Sequence, residues 1–276
     1  MKPYRYEQNF GSVIAVYGRQ PSSKARLEPT ISALNCIDFA FIGHTGTLVR
    51  LEDGPTFARH IPAGTGGIHG DARMEFVQVD GPSEFIELVP SPDIRLLAAN
   101  NFKAPDAVNF DEIQQVDDQV LWAVASRFRA HAMGGWTIDT LEAEVLILGL
   151  VGHLMCRYLG GKRPRVNERR LPAKTLTQLR DYIEASLEQS ISVTDLAQVA
   201  HRSPYHFMRT FTLTTGIKPH QFVQAIRMER AKKVLLNGAS VKMAARTVGY
   251  VPGHSFRKTF YQYFGMQPSV FAKAIL

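Results

Sequence analysis

The spacing of hydrophobic positions changes part-way along the chain. Before residue 113, apolar runs are short, at 11–17, 36–42, 47–51, 74–79 and 85–89, with Gly, Pro, Asp and Ser clusters between them. Short strands punctuated by turns predict a small sandwich or barrel. Beyond it the period becomes helical. Val116, Val120, Val124 and Phe128 predict a helix over 114–131, and Leu141, Val145, Leu148, Gly152 and Met155 predict a second over 138–159. The second also carries Leu146, Ile147, Leu150 and Leu154 off that stripe, so it must be covered on more than one side. Either the chain covers both sides itself or one side meets a second copy. A stretch rich in Gly, Pro, Lys and Arg over 161–173 predicts a linker, and Leu176, Leu179, Ile183 and Leu187 open a further helix over 175–187. The expected class is α+β: a β-rich domain and two following helices over 1–160, then an all-α domain over 174–276.

Within that last domain a pattern occurs twice. At a constant offset of 49 residues, Phe207 matches Phe256, Arg209 matches Lys258, Thr210 matches Thr259 and Phe211 matches Phe260. Gly216 then matches Gly265, Pro219 matches Pro268 and Phe222 matches Phe271. Fixed-period self-similarity marks a duplicated supersecondary unit. Each copy predicts a helix, over 203–216 and 252–265. One side of the first carries Phe207, Phe211 and Thr214, and one side of the second carries Phe256, Phe260 and Tyr263. A shorter amphipathic helix precedes each. Ser192 caps the first, with Asp195 three residues on, and Ser240 caps the second. Small residues such as Ala197 and Ala244 let a second helix cross closely. This is the helix-turn-helix pattern, which presents its second helix to a DNA major groove. One continuous helix over 219–237 joins the copies and spans roughly 28 Å, close to the roughly 34 Å of one duplex turn.

Charge sharpens the picture. The net charge is +7, but from Arg170 onward there are 15 Lys+Arg against 5 Asp+Glu, a balance of +10, while the rest of the chain stands at −3. A basic block behind a mildly acidic partner is an electrostatic footprint for nucleic acid. Arg209 suits bidentate donation to guanine O6 and N7, and Tyr205 and Met208 suit apolar contact with a thymine methyl. Thr212 shares their side. His254, Arg257 and Lys258 hold the equivalent places in the second copy, with Tyr261 a turn further on. Two cysteines, Cys36 and Cys156, are too few for a disulfide framework or structural zinc, and fit a reducing, cytoplasmic setting. His44, His60 and His69 are scattered, so surface or hydrogen-bonded roles are expected rather than a metal site. No nucleophile elbow, phosphate loop or zinc-protease motif stands in the chain. The expectation is a non-enzyme without cofactor or metal; the alternative is an enzyme with a catalytic N-terminal barrel and an accessory DNA-binding domain. The apolar run at 145–159 is too short to span a membrane, and the N-terminus carries no apolar signal region. Trp122 and Trp136 are expected in the core.

The sequence from Ser203 to Phe211, together with Gly249-Tyr250, Phe256–Phe260 and Phe264-Gly265, resembles the AraC/XylS family of bacterial transcription regulators over about 174–274. The resemblance implies two helix-turn-helix units on a joining helix, bound to adjacent major grooves of double-stranded DNA by a cytoplasmic, nucleoid-associated protein. It places Tyr205, Met208 and Arg209 at base-contacting positions. It also implies a cupin-like sensory barrel, a small-molecule effector, dimerisation through the N-terminal domain and, for an activator, contact with RNA polymerase. The second copy departs from the family where Val251, Pro252 and Gly253 replace polar residues, leaving no capping oxygen. His201 stands where a turn glycine is common.

Overall fold

Ten short strands build the first part of the chain in the computed structural model, which describes residues 4–20, 30–31, 33–51, 55–71, 74–78, 82–111, 113–162 and 170–273. They are β1 (Tyr4–Asn9), β2 (Val13–Gln20), β3 (Thr30–Ile31), β4 (Cys36–Ile42), β5 (His44–Leu51), β6 (Thr56–Ile61), β7 (Gly66–His69), β8 (Met74–Gln78), β9 (Ser83–Pro90) and β10 (Ile113–Val116). All pair antiparallel, in one sheet of order β1-β2-β9-β4-β7-β10 and another of order β3-β8-β5-β6. The β-rich domain is therefore built of two sheets. Helix α1 (Pro92–Phe102) interrupts the strands of a part expected to be mainly β. Its signal was legible: the Ser91 hydroxyl accepts from Ile94 N at 3.3 Å, and Pro92 occupies the first turn.

The helix expected over 114–131 begins later, as α2 (Gln119–Ala132). Residues 113–116 instead pair with β7, across an irregularity where Gln115 takes φ 56°. Asp118 sets the boundary, because its Oδ1 accepts from Val120 N at 2.9 Å and Leu121 N at 3.1 Å. Of the expected stripe, Val116, Val124 and Phe128 are buried and only Val120 turns outward, with Leu121 taking its place. Leu121 and Ala125 are buried, while Val120 is 38% exposed. Trp122 and Trp136, expected in the core, are 52% and 49% exposed. Helix α3 (Thr140–Tyr158) is buried on nearly every side, through Leu141, Ala143, Ile147, Leu148, Leu150, Val151, Leu154 and Met155. Its apolar sides are thus covered within the chain, which removes α3 as a homodimer surface.

Two polar clusters lie in this β-rich part. Glu84 Oε1 accepts from Tyr17 OH at 2.6 Å and from Arg129 Nε at 2.6 Å. Burial alone would raise the Glu84 carboxyl, but these donors outweigh it and hold it below its ordinary value. Burial and the Glu84 partner push the Tyr17 phenol up to about 12. Asp118 Oδ2 lies 2.8 Å from His153 Nε2 and 3.2 Å from Tyr158 OH. As for the histidines, His60 is exposed and His69 is buried with Nε2 3.3 Å from Asp38 Oδ2. Among the described residues, no three His, Cys, Asp or Glu side chains are grouped to hold a metal.

The chain divides into two units, Met1–Ile138 with Leu146–Pro164, and Asp139–Val145 with Arg165–Leu276. The division assigns the first turns of α3 to the second unit. The centre of the expected linker, 163–169, lies outside the described residues. The second unit then runs α4 (Ala173–Ala185), α5 (Val193–Val199), α6 (Pro204–Thr215), α7 (Pro219–Leu236), α8 (Val241–Thr247), α9 (His254–Phe264) and α10 (Pro268–Lys273). It holds two separate cores. Phe207 and Phe211 of α6 join Leu179, Ile183, Leu196 and Ala197 in one, and Phe256 and Phe260 of α9 join Ala244, Ala245 and Val248 in the other. Leu141 and Val145 complete the first core, and Glu144 Oε2 accepts from Val193 N at 2.9 Å.

Because the folded Glu84 carboxyl lies below its unfolded value, its stabilisation is complete above about pH 4.3 and is lost as pH falls through the lower folded value. Glu84→Gln is expected to lower the melting temperature at pH 7 and to flatten its fall between about pH 4.5 and pH 3, as read by circular dichroism melts. An unchanged acid limb would rule this cluster out as the source.

Candidate nucleic-acid interface

The two readers are assembled from the same parts. In α5 the capping box forms as expected, with Ser192 N donating to Asp195 Oδ2 at 2.9 Å and Asp195 N donating to Ser192 Oγ at 3.1 Å. Val193, Leu196 and Ala197 turn inward. The turn that follows needs a left-handed residue, and His201 supplies it at φ 51°. Ser203 caps α6 through His206 N at 3.4 Å, Pro204 sits in its first turn, and Gly216 ends it at φ 77°. Phe207 and Phe211 press inward one turn apart, which fixes the rotation of α6 about its axis.

The second reader repeats this with one change. Ser240 follows Ser192 by 48 residues, whereas Phe256 follows Phe207 by 49, so its turn is one residue longer. Gly249 takes the left-handed position at φ 74°. Gly253 precedes α9 with no side-chain cap, in line with the missing oxygen noted in the sequence. Its φ of 168° is extended backbone open to any residue. Helix α9 therefore starts at His254, later than the 252 expected. Phe256 and Phe260 are buried, and Gly265 ends the helix at φ 72°. Tyr263, expected on the inner face, is 43% exposed. Phe264 takes its place against the core, because 256, 260 and 264 keep a four-residue spacing.

The expected site residues distribute as follows. Arg209 is exposed on α6, Tyr205 and Thr212 are half-buried, and Met208 is half-buried and packs against the first core. The Thr212 hydroxyl donates back to Met208 O at 2.8 Å, so it offers an outside partner a methyl and an acceptor. On α9, His254 and Arg257 are exposed and Lys258 is half-buried. Arg257 Nε reaches back to Gly253 O at 3.3 Å, at the uncapped end of its own helix. Positions 205, 208, 209 and 212 share one side of α6, and 254, 257, 258 and 261 share one side of α9. The buried phenylalanines occupy the opposite sides. Further exposed residues stand outside the expected set. Arg202 and Ser203 are exposed in the first turn, and Lys242, Met243 and Arg246 are exposed on α8. Val251, at the start of the longer turn, is 85% exposed.

Helix α7 joins the readers without interruption over 18 residues, a length of about 27 Å. Val223 and Ile226 belong to the first core, and Met228, Ala231 and Leu235 to the second. The expected joining helix is thus a single helix shared by both cores, although Val223, which helical spacing groups with Ala231 and Leu235, packs with Phe222 and Ile226 in the first core.

The turn glycines separate cleanly in their consequences. A Cβ on Gly249 would lie 2.5 Å from Leu187 O, on top of the left-handed φ. A Cβ on Gly253 meets nothing closer than 4.0 Å. Gly249→Ala is expected to destabilise this unit by at least about 2 kcal/mol, while Gly253→Ser shifts it by less than about 0.5 kcal/mol. Urea denaturation of both variants checks the contrast; equal losses would refute it.

The chain is similar to several known proteins. A family model described as a helix-turn-helix domain matches residues 196–274. The probable transcriptional regulator LumQ of Photobacterium leiognathi is 29% identical over 104 residues, covering 37% of this chain and 42% of LumQ. The bifunctional transcriptional activator/DNA repair enzyme AdaA of Bacillus subtilis is 28% identical over 106 residues, covering 38% of this chain and 50% of AdaA. The chain thus spans half or less of the length of these curated relatives. A solved structure of the DNA-binding domain of AdpA in complex with a target DNA is 26% identical with a TM-score of 0.34, covering 36% of this chain and 91% of that one. The helix-turn-helix model spans α6 to α9 and so takes in both outward helices and the strut between them.

Proposed function

We propose that the whole chain is a sequence-specific transcription regulator that sets α6 and α9 into adjacent major grooves of duplex DNA. The observation that carries this reading is the pair of helices, each locked by two inward phenylalanines, with Arg209 on the opposite side of the first and Arg257 and Lys258 on the opposite side of the second. In this reading Arg209 reads a base edge, Tyr205 and Met208 contribute apolar contact, and Thr212 offers its methyl or its acceptor. His254, Arg257 and Lys258 serve the second groove, where the uncapped start and longer turn favour a less strict reader. Phosphate contacts come from the surrounding basic surface, Arg202, Lys242 and Arg246 among it.

The N-terminal unit is the place for control by a small-molecule effector and for self-association. With α3 covered, the exposed apolar residues Val120 and Trp122 of α2, with Met133 and Trp136 just beyond it, are the surface that supports a homodimer. An activating role would add contact with RNA polymerase. The setting is cytoplasmic, at the nucleoid; among the described residues no helix is long and apolar enough to cross a membrane.

Arg209→Ala is expected to weaken binding to a selected operator by about 1–3 kcal/mol, roughly 5- to 150-fold, and to relax preference at one base pair. Fluorescence anisotropy on selected and random duplexes reads this; equal losses on both would remove Arg209 from base reading. Affinity is also expected to fall roughly 10³- to 10⁵-fold between 50 and 200 mM salt, as counterions return to the phosphates. A flat salt response would contradict a phosphate-rich interface.

A further inference from the structure

The two cores of the helix-turn-helix unit share no residue, and α7 passes from one to the other between Ile226 and Met228. Arg227 stands at that changeover and is only 9% exposed. A guanidinium is costly to bury among apolar groups unless its donors are hydrogen-bonded. Its Nη2 donates to Gln189 O at 2.9 Å, in the α4–α5 connection of the first subdomain. The same Nη2 lies 3.3 Å from where a Cβ would project at Gly249, in the turn that launches α9. Leu187 O lies closer still to that position, at 2.5 Å. The backbone of the first subdomain therefore abuts the turn of the second, with the Arg227 fork wedged beside the junction.

We propose that Arg227 is a positioning residue that locks the relative placement of α6 and α9, and so sets the half-site spacing the protein accepts. A helix by itself resists bending but leaves each subdomain free to roll on its own apolar contacts. Arg227 and Gly249 restrain that roll at one point, from the strut and from the turn. The planar fork is rigid and its donors are fixed in direction, so a flexible side chain does not reproduce the restraint. Arg227 contacts no DNA in this scheme and acts through α9.

This inference rests on the regulator reading, and the test separates the two. The full-length chain first selects an operator from a random duplex pool, and its two half-sites are mapped by footprinting. If no two-part site emerges, the regulator reading fails. Given such a site, duplexes are made with one base pair inserted or deleted between the half-sites, along with a duplex holding the α6 half-site alone. Affinities are measured for the natural chain, Arg227→Lys and Arg227→Met. Expected for Arg227→Met is a loss of about tenfold on the selected spacing, the size of one charge-assisted hydrogen bond. The single half-site should bind as before. The penalty for a one-base-pair change, large in the natural chain, should shrink to about threefold or less, because one of its two restraints is gone. Arg227→Lys keeps a charge and a donor and should fall between; if circular dichroism shows Arg227→Met unfolded, Arg227→Lys alone carries the test. An unchanged spacing penalty in the folded variants, or an equal loss on single and paired half-sites, overturns the proposal.

Discussion

Everything in the helix-turn-helix unit depends on the packing of two aromatic pairs against one helix. Phe207 and Phe211, with ring centroids 5.4 Å apart, seat α6 on the first half of α7, where Phe222 closes against Phe211 at 5.4 Å. Phe256 and Phe260, 5.9 Å apart, do the same for α9, backed by Phe264 and Phe271. Burying two large side chains on successive turns leaves a helix one rotation about its axis. That rotation decides which side chains face outward, so the polar side of each reader is a consequence of its apolar side.

The helix ends carry the next level of control. Four threonines in α6, at 210, 212, 214 and 215, donate back to backbone carbonyls one turn earlier. This satisfies hydroxyls that are wholly or partly buried and restricts Thr212 to acceptor and methyl contacts. The first reader has a side-chain cap at its start, and the second has none. The difference places more of the first reader's donors under fixed geometry.

The β-rich unit is held by a different economy. Its strands bury Ile37, Phe39, Ile86 and Leu88 with almost no exposure, and its charged groups are kept in closed sets such as Tyr17–Glu84–Arg129. Burying a carboxylate there is tolerable because two donors converge on a single oxygen. The exposed tryptophans contrast with this thrift, since large aromatic rings on a surface otherwise spend their burial on a partner.

Much of this was legible in the residue order, for a local reason. Phe-x-x-x-Phe pairs, Ser192 with Asp195, Ser240, Gly216 and Gly265 act within one or two turns, so each helix of the helix-turn-helix unit and the duplication itself follow from spacing. Strand existence was legible for β2, β4, β5, β8 and β9, whose apolar runs are self-contained. The strands β1, β6 and β10 were not, because pairing partners far along the chain complete them. Helix α2 shows the same limit: Val120 fits a helical stripe, yet Leu121 is the residue that meets the sheet once Asp118 has set the start. What the sequence determined alone is the doubled reader, its polarity and its strut, because these follow from periodicity and charge. What only the tertiary structure decided is which wide surfaces are covered, as at α3, and how Arg227 and Gly249 meet, because burial and close approach depend on residues distant in the chain.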